Sequence, residues 1–316
     1  MTKVAILESL GVSAEELSAL KKPLEARGVV FADYPRTADA DLLAEEAADA
    51  DAVIIANMPL SDAVIRRCEK LRFIDVAFTG VDHVGLTAAR EKGVIVSNAS
   101  GYSNEAVAEL VLGMALSLMR NVPQVQERCR AGSTKEGLVG GELKGKTVGI
   151  IGYGRIGRRT GELFHAFGCS VLAHSRHLKD DAPDYVEQVP REELLRRSDI
   201  VVLHCPLNDS TRGMIDAAAL SQMKPTAFLI NVARGPVVVE ADLVRALEAG
   251  TIAGAGVDVF DVEPPLPPQT PLLRAPRTLL TPHVAFATAE SMSLRAGIVF
   301  DNLRAWLDGA PQNVVL

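Results

Sequence analysis

The chain has 316 residues, 48% of them hydrophobic and 23% charged, with 33 basic side chains against 40 acidic ones and a net charge of −7. That length exceeds one ordinary core and fits two domains of about 150 residues each. So acidic a chain has no global basic field for nucleic acid or an anionic membrane, and an anionic ligand would need a local arginine or backbone amides. Cys68, Cys129, Cys169 and Cys205 show neither C-x-x-C nor zinc-ligand spacing, so reduced thiols, no metal centre and a cytoplasmic setting are expected. The opening MTKVAILESL has too short an apolar run for a signal peptide, and no uninterrupted apolar stretch would span a bilayer.

In chain order, the β-branched runs KVAIL, GVVFADY, DAVIIAN, RFIDVAF and GVIVSN read as strands. Amphipathic stretches such as Ser13 to Arg27 and Ser61 to Glu69 lie between them. A second series follows in KTVGII, SVLAHS, DIVVLH, AFLINV, AGAGVDV and TLLTP. Alternation of this kind predicts α/β architecture, and two series predict two parallel-sheet domains rather than one oversized sheet. Between the series, Asn104 is placed to cap a helix to Met119, with Val107, Leu110, Val111, Met114 and Leu118 on one stripe. The segment onward to about Gly140 is read as a helical arm for a second subunit; an extra core helix is the plainer reading. Ala289 to Leu307 carries Met292, Val299, Leu303 and Trp306 at helical spacing and stops at Gly309. It follows the last strand of the second series and is expected to return to the first domain.

KTVGIIGYGRIG places Gly152, Gly154 and Gly157 as G-x-G-x-x-G between an apolar strand and a helix running to about Phe167. Gly152 permits the tight turn, Gly154 lets the backbone approach a pyrophosphate, and Gly157 allows close strand–helix packing. The free amides of the helix N-terminus then bind the anion. An acid about 20 residues on would hold a ribose 2′-hydroxyl. The strand CSVLAHSRH has Ser175 and Arg176 there instead, beside His174 and His177, while Asp180 and Asp181 come too late. A carboxylate repels a 2′-phosphate, whereas an arginine fork and a hydroxyl attract it, so NADP is expected over NAD. The alternative is a surface Arg176 stacking on adenine, with either cofactor accepted.

Arg234, Glu263 and His283 follow later strands at their carboxyl ends, where open α/β sheets bind ligands. Each alone reads as an ordinary loop residue. Together they would supply a proton carrier, a carboxylate to orient it and a cationic fork. Histidine can pass a proton near neutral pH. A hydrogen-bonded Glu263 would favour the imidazolium form of His283 and orient its ring. Arg234 offers a fixed fork to a substrate carboxylate and carbonyl. The proline cluster EPPLPPQTPLLRAP is read as a stiff loop fixing Glu263, ahead of a polyproline docking site. Of the other histidines, His83 could touch ligand, and His165, on a helix, is structural.

Over essentially its whole length the sequence resembles the D-isomer-specific 2-hydroxyacid dehydrogenases, through IIGYGRIG, LHCPLNDSTRGMI, INVARGPVVVEADLVRALEAG, AGVDVFDVEP and TPHVAFAT in family order. The resemblance implies two doubly wound parallel-sheet domains with a cleft between them. A Rossmann coenzyme domain, 99–287, would be inserted in a flavodoxin-like substrate domain of 1–98 plus 288–316, with 103–140 as a dimerisation arm and the protein a homodimer. It matches Arg234, Glu263 and His283 to the catalytic set. It gives the cofactor Gly152, Tyr153, Gly154, Arg155, Ile156, Gly157, Ser175, Arg176, the turn His204, Cys205 and Pro206, Thr211, Val232, Ala233, Arg234, Asp258, His283 and Ala285. Asp258 would meet the nicotinamide carboxamide. Amides near Thr79, Gly80 and Val81 would hold the substrate carboxylate, with Phe78, Tyr102, Arg234, His283 and Phe286 around the substrate. GYSNEAVAE is similar to the D-lactate dehydrogenase branch. The implied activity is hydride transfer between NAD(P)H and C2 of a small 2-oxo acid such as glyoxylate, hydroxypyruvate or pyruvate, with no nucleic acid or membrane partner. Three alternatives share the fold. A formate-dehydrogenase-like protein is expected to pair its histidine with glutamine, which Glu263 opposes. A corepressor-like nucleotide sensor would need partner-binding tails. A phosphoglycerate dehydrogenase is the third.

Overall fold

The two series of strands form two separate parallel sheets in the computed structural model, which describes residues 1–177 and 180–316. One unit comprises Met1–Ser103 with Ala287–Leu316, the other Asn104–Phe286. The sequence reading had put these junctions at 98/99 and 287/288. The loop after Asn98 stays with the first unit because Ala99 N–H donates to the carbonyls of Val76 and Phe78 and Ser100 N–H to the Asn98 side chain.

The first unit runs β1 (Thr2–Ile6), α1 (Ala14–Glu25), β2 (Val29–Asp33), α2 (Ala40–Ala47), β3 (Ala52–Ile55), α3 (Asp62–Arg67), β4 (Phe73–Val76), α4 (Leu86–Lys92) and β5 (Ile95–Asn98). Its strand order is β2-β1-β3-β4-β5. β3 and β4 are buried at every position, which is why they read as unbroken apolar runs instead of alternating ones. Ser13, Asp39 and Ser61 start their helices by accepting N–H bonds of the first turn. Polar groups sit in this core as well: Asp75 on β4, Ser97 on β5 and Asn302 are each 0% exposed.

The second unit begins with α5 (Asn104–Met119) and α6 (Val122–Arg130), then β6 (Thr147–Ile151), α7 (Arg155–Ala166), β7 (Ser170–His174), β8 (Val186–Gln188), α8 (Arg191–Arg197), β9 (Ile200–Leu203), α9 (Ala217–Gln222), β10 (Phe228–Asn231), α10 (Glu240–Ala249), β11 (Gly254–Val257) and β12 (Thr278–Leu280). Its order is β12-β11-β10-β9-β6-β7-β8. α5 packs on α7, and Arg159 of α7 grips Glu105 through Nε and Nη2, both at 2.7 Å. The arm expected to continue to Gly140 loses its helix after Arg130. Gly132 and Gly137 there take positive φ, at 68° and 74°, outside helical backbone. Among the described residues no single helix is long and apolar enough to cross a membrane.

α11 (Ala289–Leu307) belongs to the first unit. Thr288 and Ser291 form a reciprocal capping box at its start. Phe300 and Leu303 are fully buried, and Trp306 stacks on Phe73 with centroids 5.0 Å apart. The aromatic contact supplements the area burial that holds the helix on the sheet.

Candidate active site

The register of the second sheet sets the carboxyl ends of its strands level. Ile151 pairs with His174 and Leu203, Leu203 with Asn231, Asn231 with Val257, and Val257 with Leu280. Every sequence-predicted cofactor and catalytic residue of this unit lies just past that line or, for α7, at a helix that starts there.

At the glycine loop, Gly152 has φ 100°, and a Cβ there would lie 2.5 Å from Cys205 N and His204 C. At Gly157 a Cβ would lie 2.3 Å from the Gly152 carbonyl oxygen. At Gly154 a Cβ would meet nothing within 4 Å. Two glycines are thus required by packing and the third leaves backbone open at the N-terminus of α7, where Arg155 and Ile156 begin the helix. That is the cradle a pyrophosphate needs. Tyr153 N–H donates to Ser175 Oγ at 3.0 Å, tying the end of β7 to the loop. Beside them lies a cavity of about 580 Å³, of the size that takes a nucleotide half. Ser175, Arg176, Pro206 and Thr211 line it. Thr211 Oγ1 donates to the Pro206 carbonyl at 2.6 Å and accepts from Asn208 N–H at 2.9 Å, so it shapes this wall. His204 Nε2 lies 2.9 Å from Thr160 Oγ1, and burial lowers its pKa to about 3. Its ring therefore stays neutral and anchors α7, while its backbone lies against the glycine loop. Cys205 is buried too, its thiol pushed up to about 11 by burial. Sequence reasoning missed that Arg191 and Glu192 line the same cavity. No spacing rule reaches them from the glycine motif.

At the other end of the line, His283 Nδ1 and Glu263 Oε2 are 2.7 Å apart, with the imidazole 13% exposed and the carboxylate 47%. His283 sits in left-handed backbone at φ 55°, a conformation that costs a non-glycine residue about 1–2 kcal/mol. Asp258 holds it there. Its backbone carbonyl accepts His283 N–H at 2.7 Å. Its carboxylate accepts from Thr281 Oγ1 at 2.6 Å, Val284 N–H at 2.8 Å and Ala285 N–H at 2.9 Å. The carboxylate is 0% exposed, so in this structure it serves the histidine loop. That role was not anticipated, although an acid ending a buried strand was a visible signal. The Phe286 ring meets the imidazole edge-on at 5.5 Å.

Arg234 follows β10, after Val232 and Ala233. Asn231 braces that turn by donating Nδ2 to the Arg234 carbonyl at 3.0 Å and accepting Ala233 N–H at 3.1 Å. At Gly235 a Cβ would stand 2.0 Å from the Phe260 carbonyl carbon. The arginine turn and the loop leading to Glu263 therefore touch backbone to backbone. In the first unit, Asn98 Nδ2 donates to the Thr79 carbonyl at 2.7 Å, and Phe78 and Tyr102 are ring neighbours at 6.2 Å. Tyr102 is only 3% exposed, with the Arg295 guanidinium over its ring at 5.8 Å. His165 stacks on Tyr185 at 3.9 Å, a packing role.

Comparison with known proteins agrees with this geometry. A family model for the D-isomer specific 2-hydroxyacid dehydrogenase NAD binding domain matches residues 112–285. A hydroxypyruvate reductase of Blautia hydrogenotrophica is 34% identical over 328 aligned positions, covering 99% of each chain. A crystal structure of a glyoxylate reductase from Paecilomyes thermophila is 29% identical with a TM-score of 0.90, covering 99% of this chain and 98% of that one. An acyclic imino acid reductase solved with NADPH and D-Arg is 25% identical with a TM-score of 0.92, both chains covered in full. The chain belongs to the D-isomer-specific 2-hydroxyacid dehydrogenase family. It is an oxidoreductase of the CH–OH group that works with a nicotinamide cofactor, interconverting 2-hydroxy and 2-oxo acids.

Proposed function

We propose that the substrate is a small 2-oxo acid of the glyoxylate, hydroxypyruvate or pyruvate type, interconverted with its 2-hydroxy acid, with NADPH preferred. The observation that carries the catalytic assignment is the 2.7 Å pair of His283 Nδ1 and Glu263 Oε2 beyond the level strand ends. With Nδ1 turned to the carboxylate, Nε2 is left as the atom that exchanges a proton with substrate. In reduction His283 Nε2 gives its proton to the substrate oxygen as C2 gains hydride. In oxidation the same nitrogen takes the hydroxyl proton. The bound nicotinamide supplies or accepts the hydride. Glu263 keeps the ring oriented and balances the imidazolium charge. Arg234 polarises the carbonyl and clamps the carboxylate with its planar fork. Within the first unit, the amides of Thr79, Gly80 and Val81 are the expected carboxylate donors, with Phe78 and Tyr102 suited to a small, partly apolar substituent; Phe286 is the corresponding residue of the second unit. Asp258 meets the nicotinamide carboxamide through whatever acceptor capacity its loop bonds leave.

NADPH preference rests on Ser175 and Arg176 in the cavity wall where an acid would otherwise hold the 2′-hydroxyl. The enzyme is proposed to be a cytoplasmic homodimer, with free cysteines suited to a reducing compartment. Val122 of α6, 42% exposed, and the outer edges of the partly buried Leu110, Leu112 and Leu116 of α5 supply apolar surface for a second copy. Initial rates for a panel of 2-oxo acids with each cofactor test the reading. Turnover of glyoxylate or hydroxypyruvate with NADPH is expected; no turnover of any 2-oxo acid would remove it.

A further inference from the structure

The nucleotide cavity has a second basic wall that the Ser175–Arg176 argument does not use. β8 runs beside β7, with Ala173 paired to Gln188. Val189 N–H donates to the Ala173 carbonyl at 3.0 Å, and His174 Nδ1 lies 3.2 Å from the Val189 carbonyl. The chain therefore leaves β8 beside the exit of β7. Pro190, Arg191 and Glu192 consequently line the same cavity as Ser175, Arg176 and His177. Two arginines from neighbouring strand exits border one space of about 580 Å³.

Arg191 is held there by its neighbour. Its Nε and Nη2 both reach one oxygen of Glu192, at 3.1 and 2.8 Å. That pairing engages part of a five-donor guanidinium and leaves donors for another acceptor. The side chains are 35% and 48% exposed, and an ion pair so wet contributes little. A phosphate dianion competes easily for such a cation, because charge-assisted bonds to phosphate are short, strong and often bidentate. Glu192 has the opposite effect. Unneutralised, it would repel a 2′-phosphate and could accept from a ribose hydroxyl.

We propose that Arg191 is a further cofactor-specificity residue, which takes the 2′-phosphate of NADPH together with Arg176 while screening that phosphate from Glu192. This rests on the NADPH reading above. Specificity then depends on two strand exits, and the acid that would favour NADH is present but held by its own neighbour.

The test is binding rather than turnover: dissociation constants for NADPH, NADH and 2′,5′-ADP on the whole protein and on R176A, R191A, R191K and E192Q. R191A is expected to weaken NADPH and 2′,5′-ADP by about tenfold or more, the worth of a charged hydrogen bond. Its NADH affinity should stay within about twofold, which doubles as the check that it folds. R191K should recover part of the loss, and E192Q should tighten NADPH. If R176A weakens NADPH and R191A does not, Arg191 is a surface residue and the inference falls while the NADPH reading stands. Equal weakening of NADPH and NADH by R191A also overturns it. A wild-type protein that binds NADH more tightly, and loses that affinity in E192Q, overturns both.

Discussion

His283 shows how a single residue becomes reactive through its neighbours. Its left-handed backbone is held by the Asp258 carbonyl and its ring by Glu263. Replacement by alanine is expected to lower kcat by about 10²–10⁴-fold, the usual worth of a general acid. Cofactor binding, set by the glycine loop, should survive, and rapid kinetics beside a binding titration checks both. The sequence showed the types and order of Arg234, Glu263 and His283. The acid at the end of the strand was visible, but its use on the histidine loop was not, because that role depends on four hydrogen bonds made only after folding. Asp75 offers a residue-scale prediction of another kind. It is fully buried, and one carboxylate oxygen has no partner among the described residues. Burial drives its pKa well above the usual carboxylate range, opposed only by the hydrogen bond from Asn302. A raised folded pKa means that stability is fully present below the unfolded value near pH 4. It is lost as pH rises toward the folded value. Asp75→Asn, which keeps an acceptor for Asn302 and carries no proton to lose, is therefore expected to stabilise. The gain should be small at pH 5 and larger at pH 8, by about 3 °C in Tm or more. Thermal melts at the two pH values decide it; a gain that shrinks with pH contradicts the assignment.

Among the elements, the strands were the most legible because each buried run is short, β-branched and bounded by polar turns. The helices Asn104–Met119 and Ala289–Leu307 were readable from spacing and, for the second, the stop at Gly309; Asn104, read as a cap, is itself the first helical residue. β8 was not readable: its three residues have too few apolar positions to show a period, yet pairing with β7 is what brings Arg191 to the cavity. Gly235 tests how tightly two loops are joined. A methyl there would stand 2.2 Å from the Phe260 carbonyl oxygen, so one backbone must move. Gly235→Ala is expected to destabilise the second unit by about 1–3 kcal/mol. It should also lower kcat/KM by up to about 10²-fold, because Arg234 shifts relative to Glu263. Denaturant melts and kinetics measure the two effects. Unchanged kinetics would mean that the contact is not transmitted to the site.

For the whole molecule, the sequence announced two α/β units and the return of the last helix to the first of them, but not the contacts by which that helix closes the core. Those depend on the long-range pairing of α11 with strands more than two hundred residues earlier. Asn104–Phe286 is one continuous stretch with its own sheet and its own buried cluster around Ile150, Val202 and Ile230. Expressed alone, it is expected to unfold cooperatively and to bind NADPH within about tenfold of the whole chain. An aggregated or non-binding fragment would show that its core needs the remainder. The first unit has no such independence. Phe73 waits for Trp306, Asp75 for Asn302, and Ser97 for the carbonyl of Gln312. As the polypeptide emerges from the ribosome, the inserted unit can finish while the half made first remains open, its exposed β-branched strands without their last covering helix. A chain stalled near its end would then carry a finished nucleotide-binding unit tethered to a sticky, incomplete partner, and that is the species a chaperone would be called on to hold.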